Sequence, residues 1–124
     1  MNKKFLIVIV IIIFFAAFLL FSSLTKKNEE GKLVLVLDYG NNHKQSFQLL
    51  TNEQKRAWSL LQEVAAVSKI DLEATNDFYP RKIDGMRDGI DNKHWILYVN
   101  GIKQKSSPFD AVVKPPAEVI FRFE

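Results

Sequence analysis

No cysteine occurs among the 124 residues. That excludes disulfides, thiolate metal centres and a cysteine nucleophile. It also excludes a bacterial lipoprotein anchor, whose lipid is carried on a cysteine. An extracytoplasmic domain without cysteines must rely on its core alone, which fits a bacterial surface better than a disulfide-stapled animal module. Histidine is nearly as scarce. His43 and His94 are the only two, each lies among turn or polar residues, and surface positions are expected rather than a shared metal site. No glycine-rich phosphate loop is present, because Asp84-Gly85 and Asp88-Gly89 lack the lysine and the spacing. Ser106-Ser107 lacks the G-x-S-x-G elbow of a serine nucleophile. With no acid, base and nucleophile in a recognisable set, no enzymatic activity and no cofactor are expected.

A basic patch is missing too. The net charge is +3, but Lys3 and Lys4 precede a hydrophobic run, and the rest carries 15 basic against 14 acidic residues. The high isoelectric point therefore gives no reason to expect a nucleic-acid partner.

What the sequence does have is one long apolar run. Phe5 to Phe21 (FLIVIVIIIFFAAFLLF) has no polar side-chain atom, and Ser22, Ser23 and Leu24 extend it to a length that crosses a bilayer as a helix. A buried core helix would show a polar face, and none is present. The run exceeds an ordinary signal-peptide h-region and no A-x-A-like site follows it. Residues 1–24 are expected to be an uncleaved transmembrane anchor, with contact to the membrane through 5–24; cleavage near Ser23 or Thr25 is the alternative. Lys3 and Lys4 favour a cytoplasmic N-terminus, although Lys26 and Lys27 stand on the other side. The domain is expected outside the cytoplasm, in a bacterial cell envelope. Residues 25–31 read as a polar linker.

Residues 32–124 read as a single domain. KLVLVLDY (32–39) predicts a strand with apolar residues on both faces, central in a sheet. Gly40-Asn41-Asn42 predicts a turn, and KQSFQLL (44–50) an antiparallel partner with one wet face. Thr51 with Gln54 three residues later predicts a capping box opening a helix. Ala57, Leu60, Leu61, Val64 and Val67 form its apolar stripe, Trp58 sits at the border, and the helix ends near Lys69. Short strands are predicted over 70–74 and 81–83. Trp95–Val99, Asn100-Gly101 and Ile102–Lys105 predict a hairpin, since both turn positions tolerate positive φ. EVIFRFE (118–124) is apolar enough for an internal strand beside the first. The predicted fold class is α+β: a transmembrane helix, then a β-grasp-like sheet with one packed helix.

AWSLLQEVAAV, WILYVNG and EVIFRFE together resemble the transcobalamin-like C-terminal domain, a module that also occurs in bacterial surface proteins. The resemblance runs from Lys32 to Glu124. Its most specific part is the Trp-x-x-Tyr-x-Asn-Gly hairpin, here Trp95, Tyr98, Asn100 and Gly101. Pro116-Ala117-Glu118 stands where the family usually has a Gly-Asp turn. In transcobalamin the vitamin lies between this module and a large helical domain, which is not found in these 124 residues. The resemblance implies the fold and a general recognition role, and does not carry over cobalamin binding.

Trp95, Tyr98 and Trp58 are the candidate ligand contacts, because aromatics near a hairpin stack on planar or sugar ligands or anchor a protein. Trp95 shares a side with Leu97 and Val99 and is equally a core residue; Tyr98 faces the other way. Asp84, Asp88, Asp91 and Asn92 cluster in IDGMRDGIDN, but without EF-hand spacing or a closing glutamate, so a solvated loop is expected and no metal. The face of Val34 and Val36, or the sheet edge, offers a third contact, since an unpaired edge accepts a partner strand. The expected function is a membrane-anchored, non-catalytic recognition module for a small molecule, glycan or protein. The alternative is a structural or assembly subunit of an envelope complex.

Overall fold

Alternation in KLVLVLDYG decides the architecture. The computed structural model describes residues 31–124, and the expected anchor and all of the linker except Gly31 lie outside them. Lys32–Gly40 is β1, and Leu33, Leu35 and Leu37 point to one face and are fully buried. His43–Leu50 is β2, the antiparallel partner of β1 across a turn in which Asn41 and Asn42 have φ of 53° and 61°. Lys55–Arg56 (β3) leads directly into the helix α1, Ala57–Ser68. Leu72–Ala74, Pro80–Ile83 and Met86–Arg87 are β4, β5 and β6, which form a small antiparallel sheet. A short 3-10 turn at Ile90–Asn92 precedes β7 (Trp95–Val99) and β8 (Ile102–Lys103). Val112–Val113 is β9, paired with β3, and Ala117–Phe123 is β10.

The main sheet has the order β2-β1-β10-β7-β8. The first and last strands lie side by side in parallel, with Leu35 opposite Val119 and Leu37 opposite Phe121, and β7 runs antiparallel on the far side of β10. The apolar last strand is thus internal and beside the first, as its composition predicts. The chain is a mixed α+β fold, sheet-dominated with one α-helix among the described residues. No helix among them is long and apolar enough to cross a membrane.

One face of this sheet carries the core. Leu33, Leu35 and Leu37 of β1, Val119, Phe121 and Phe123 of β10, and Trp95 and Leu97 of β7 pack with Ala57, Trp58, Leu60 and Leu61 of α1. The β7–β8 turn is the predicted one: Asn100 and Gly101 have φ of 49° and 79°, the pair of positive values that a two-residue hairpin requires.

The helix differs from its sequence signals at both its start and its stripe. No capping box forms. Thr51 Oγ1 accepts a bond from the Glu53 amide at 3.1 Å, a local turn six residues before the helix. The first-turn amides of Ala57 and Trp58 instead donate to the backbone carbonyls of Ala111 and Pro108, each at 2.8 Å. A distant loop thereby supplies the acceptors that a helix start needs, so no side-chain cap is required. The stripe is also rotated. Trp58, placed at the border by spacing, is 3% exposed, whereas Val67 is 80% exposed. β3 and β9 draw the start of α1 toward the 107–113 loop, which turns Trp58 inward and leaves Val67 outside.

Candidate functional site

β2 ends the main sheet, and among the described residues no strand pairs with its outer edge. The opposite end is closed by β8, only two residues long. An open edge of eight residues presents unpaired backbone donors and acceptors, which folded proteins normally blunt with charge, proline or a bulge. HKQSFQLL has one lysine and no proline.

Between this edge and α1 lie two hollows. One, of about 420 Å³, is lined by Gln45, Ser46, Phe47, Ser68, Lys69, Ile70 and Asp84. The other, of about 150 Å³, lies among Phe47, Leu49, Leu60, Val64 and Val67. They share Phe47 and Ser68 and so form one groove, polar at the start of β2 and apolar at its end. Val67, which lines the apolar end, is 80% exposed.

Tyr39 engages two residues that line the polar end. Its part-buried hydroxyl lies 3.2 Å from both Gln45 Oε1 and Asp84 Oδ2. One proton cannot fully serve two acceptors, so acceptor capacity remains at the groove wall. Burial, with the Asp84 charge beside it, raises the Tyr39 pKa well above its ordinary value, so the phenol stays neutral and keeps donating. Lys69 closes α1 in the left-handed region, with φ 56° and ψ 40°. That position ordinarily takes glycine. Substituting Lys69→Gly is expected to stabilise the domain by about 1 kcal/mol, read from urea denaturation, because it removes the left-handed strain on a residue with a Cβ. The native lysine therefore keeps a strained backbone while placing an ammonium at the groove.

The three sequence-derived contacts are not brought together. Trp58 and Trp95 are buried, at 3% and 6% exposure. Trp95 donates from Nε1 to the Met86 carbonyl at 2.9 Å and from its amide to Asp88 Oδ1 at 2.8 Å, and its ring packs against Tyr39 and Phe123. Trp58 lies beside Phe78, which stacks on Phe109 beneath the Arg56 guanidinium; its Nε1 is buried without an acceptor among the described residues. Tyr98 lies half-buried on the outer face of the main sheet.

That outer face carries a row of charges that sequence reasoning missed. Asp38 is buried there, accepts from Arg122 Nε at 3.1 Å and from the Gly40 amide at 3.0 Å, and lies 3.9 Å from Lys44 Nζ. The Arg122 guanidinium sits 4.7 Å over the Tyr98 ring, and the Tyr98 hydroxyl bonds Glu124. Around the row lie half-buried Val34, Val36, Ile96 and Ile120. The i, i+2 alternation that puts Leu35 inside puts Asp38 and Val36 outside, but cross-strand partners depend on register, which one strand does not reveal.

Burial would raise the Asp38 pKa, but the Gly40 amide, Arg122 and Lys44 outweigh it and hold the carboxyl below its ordinary 3.8. A depressed folded-state value gives stability that is present above about pH 3.8 and lost as pH falls through the lower folded value. Urea denaturation at pH 6 and at pH 3 is expected to show a smaller acid-dependent loss in Asp38→Asn than in the wild type.

The IDGMRDGIDN acids serve the fold. Asp84 bonds Tyr39, and Asp88 ties the Trp95 amide and His94 Nδ1. Asp91 and Asn92 adopt positive φ in the 3-10 turn. His43 and His94 are both exposed and lie apart in partners, His43 stacked on Tyr39 and His94 bonded to Asp88. Among the described residues no three His, Asp or Glu side chains converge to hold a metal ion.

No family model matches this sequence, and no curated protein matches it. Among solved structures, a protein of Ruminococcus gnavus described as a "putative metal binding protein" superposes with a TM-score of 0.58. It is 12% identical, and the match covers 77% of this chain and 97% of the other. At that identity the likeness is one of fold.

Proposed function

We propose that this chain is a non-catalytic recognition module whose domain is held at a membrane by residues 5–24 and displayed outside the cytoplasm. The observation that carries the recognition reading is the groove between the open β2 edge and α1, which joins a polar hollow to an apolar one. Its combined size suits a ligand or a short segment of a partner. A β-grasp-like domain of the transcobalamin-like C-terminal type is the finer description that the fold supports: a hairpin, one helix, and a last strand returning in parallel beside the first. The contact surface in this reading is the groove, with Tyr98 on a separate face and Trp58 and Trp95 in the core.

A metal ion is the further ligand class raised by the Ruminococcus gnavus protein. Among the described residues Asp71 and Glu73 are bridged by Lys82, at 2.8 and 3.0 Å, so an ammonium already occupies the space between these carboxylates. Metal binding is therefore not part of the reading.

Thermal shift of the full-length chain against panels of glycans, small metabolites and peptides tests recognition. The expected result is a class that raises the melting temperature of the wild type and has less effect on Val67→Glu. A flat response to every class contradicts the proposal. The outer face, which no element among the described residues covers, with Val34, Val36, Ile96 and Ile120 around the Asp38–Arg122 pair, favours the second reading of an assembly subunit. In that case loss of complex formation follows Val36→Glu and not Val67→Glu.

A further inference from the structure

Resting on the reading of residues 5–24 as a membrane anchor, we infer that one end of the main sheet lies on the surface of that same bilayer, with Leu50 and Ile102 dipping into its interface. The chain enters the domain at a fixed point. The Gly31 amide donates to Asn52 Oδ1 at 2.6 Å, and its carbonyl accepts from the Thr51 amide at 2.9 Å. A Cβ at Gly31 would stand 2.5 Å from the Thr51 carbonyl oxygen and 2.8 Å from Pro115 Cβ, so the entry is closely packed on two sides. Only residues 25–30 separate it from the apolar run and its extension to Leu24. A segment of that length reaches about 20 Å when fully extended, so this end of the domain stays near the membrane.

Two exposed aliphatic side chains stand at opposite corners of this end. Leu50 pairs with Lys32 at the end of β2, and Ile102 pairs with Val99 just past the Asn100-Gly101 turn, where Asn100 bonds Glu118 at the start of β10. They are 63% and 68% exposed. β2 and β8 are the two margins of the main sheet, and β1, which follows Gly31, lies between them. By alternation Leu50 belongs to the outer face with Lys32, and Ile102 to the core face with Val99. A partner docked on one face or one edge reaches one of them only. A flat surface laid across the end reaches both, on either side of the point where the chain enters. Charge does not select this contact: Lys32, Lys103 and Lys114 are exposed here, and so are Glu53 and Glu118. Burial of aliphatic surface in the interface carries it. Two such side chains hold a bilayer weakly by themselves, but the anchor makes the contact intramolecular and supplies the effective concentration. The polar hollow, at the start of β2, is left at the end of the sheet away from the lipid.

The test uses the full-length chain in phosphatidylcholine vesicles that contain a doxyl-labelled lipid, with a nitrobenzoxadiazole label on Leu50→Cys, Ile102→Cys or Lys93→Cys. Lys93 precedes β7 at the opposite end of the sheet, where His94 and Glu124 exchange backbone bonds. All three side chains are exposed, so the fold is not at stake. The expected result is blue-shifted emission and quenching by the doxyl lipid at 50 and 102, and neither at 93. Similar signals at all three positions, or a signal at none or only one of 50 and 102, overturn the inference. Quenching that appears only when phosphatidylglycerol is added also overturns it, because charge would then be the cause. Flotation separates the two readings. If the chain floats with the vesicles while 50 and 102 stay in water, the surface contact falls and the anchor stands; if the chain does not float, both fall.

Discussion

Phe121→Ala is expected to cost about 3–5 kcal/mol, the range for removing a large buried aromatic, and to leave the domain unfolded or nearly so. Phe121 is 0% exposed and sits on β10, the strand that joins β1 to β7. It lies opposite Leu37 on one side and Leu97 on the other, both core residues. The cavity would open where the parallel and antiparallel halves of the sheet meet, with few neighbours free to collapse into it. A domain of this size has a total stability of about 5–15 kcal/mol, so the loss is a large share of the whole. Equilibrium urea denaturation measures it, and a loss under 1 kcal/mol would contradict the core assignment.

Trp95 carries the second large effect, and it separates a structural role from a binding role. Trp95→Ala removes the ring packed on Tyr39 and Phe123 and leaves the Met86 carbonyl without its donor. The expected loss is again about 3–5 kcal/mol. Trp95→Phe keeps most of the volume and loses the Nε1 bond, so its cost should be nearer 1–2 kcal/mol, the value of one part-buried hydrogen bond and some packing. Were Trp95 a ligand contact at the surface, both variants would fold normally and differ only in binding. Denaturation of the two variants side by side gives the answer.

Much of the fold was legible because it depends on local patterns. The Leu33–Leu35–Leu37 alternation, the Asn41-Asn42 and Asn100-Gly101 turns, and the apolar Val119–Phe121–Phe123 run each point to the element that forms. The helix start was misread for a physical reason. Thr51 and Gln54 satisfy the spacing of a capping box, but acceptors from Pro108 and Ala111 meet the helix amides first, and those carbonyls lie some fifty residues away in sequence. The same long-range pairing, β3 with β9, involves two residues on each side and leaves no periodic signature. It also explains why Trp58 turns inward and Val67 outward.

The site was less legible than the fold. Aromatic residues drew attention to Trp58 and Trp95, yet their size makes them core in a small domain. An open sheet edge was foreseen as a contact surface, but strand order decides which edge is open. The groove then requires β2, the end of α1 and Asp84 to meet, and only topology brings them together. Lys69 shows the same limit: its sequence context marks a helix end, and its place in one hollow with Gln45 and Asp84 follows from how α1 crosses the sheet.

The absence of native cysteine makes the central claim directly measurable. Val67→Cys and Ile102→Cys each place one thiol on an exposed position, 80% and 68% exposed in the native chain, the first at the groove and the second on the far hairpin. Each full-length variant is labelled with a benzophenone maleimide and irradiated with the glycan, metabolite or peptide that raises the wild-type melting temperature. A covalent adduct of that compound at position 67 and none at 102 is the expected result; adducts at both alike, or at 102 alone, would contradict recognition at the β2–α1 groove.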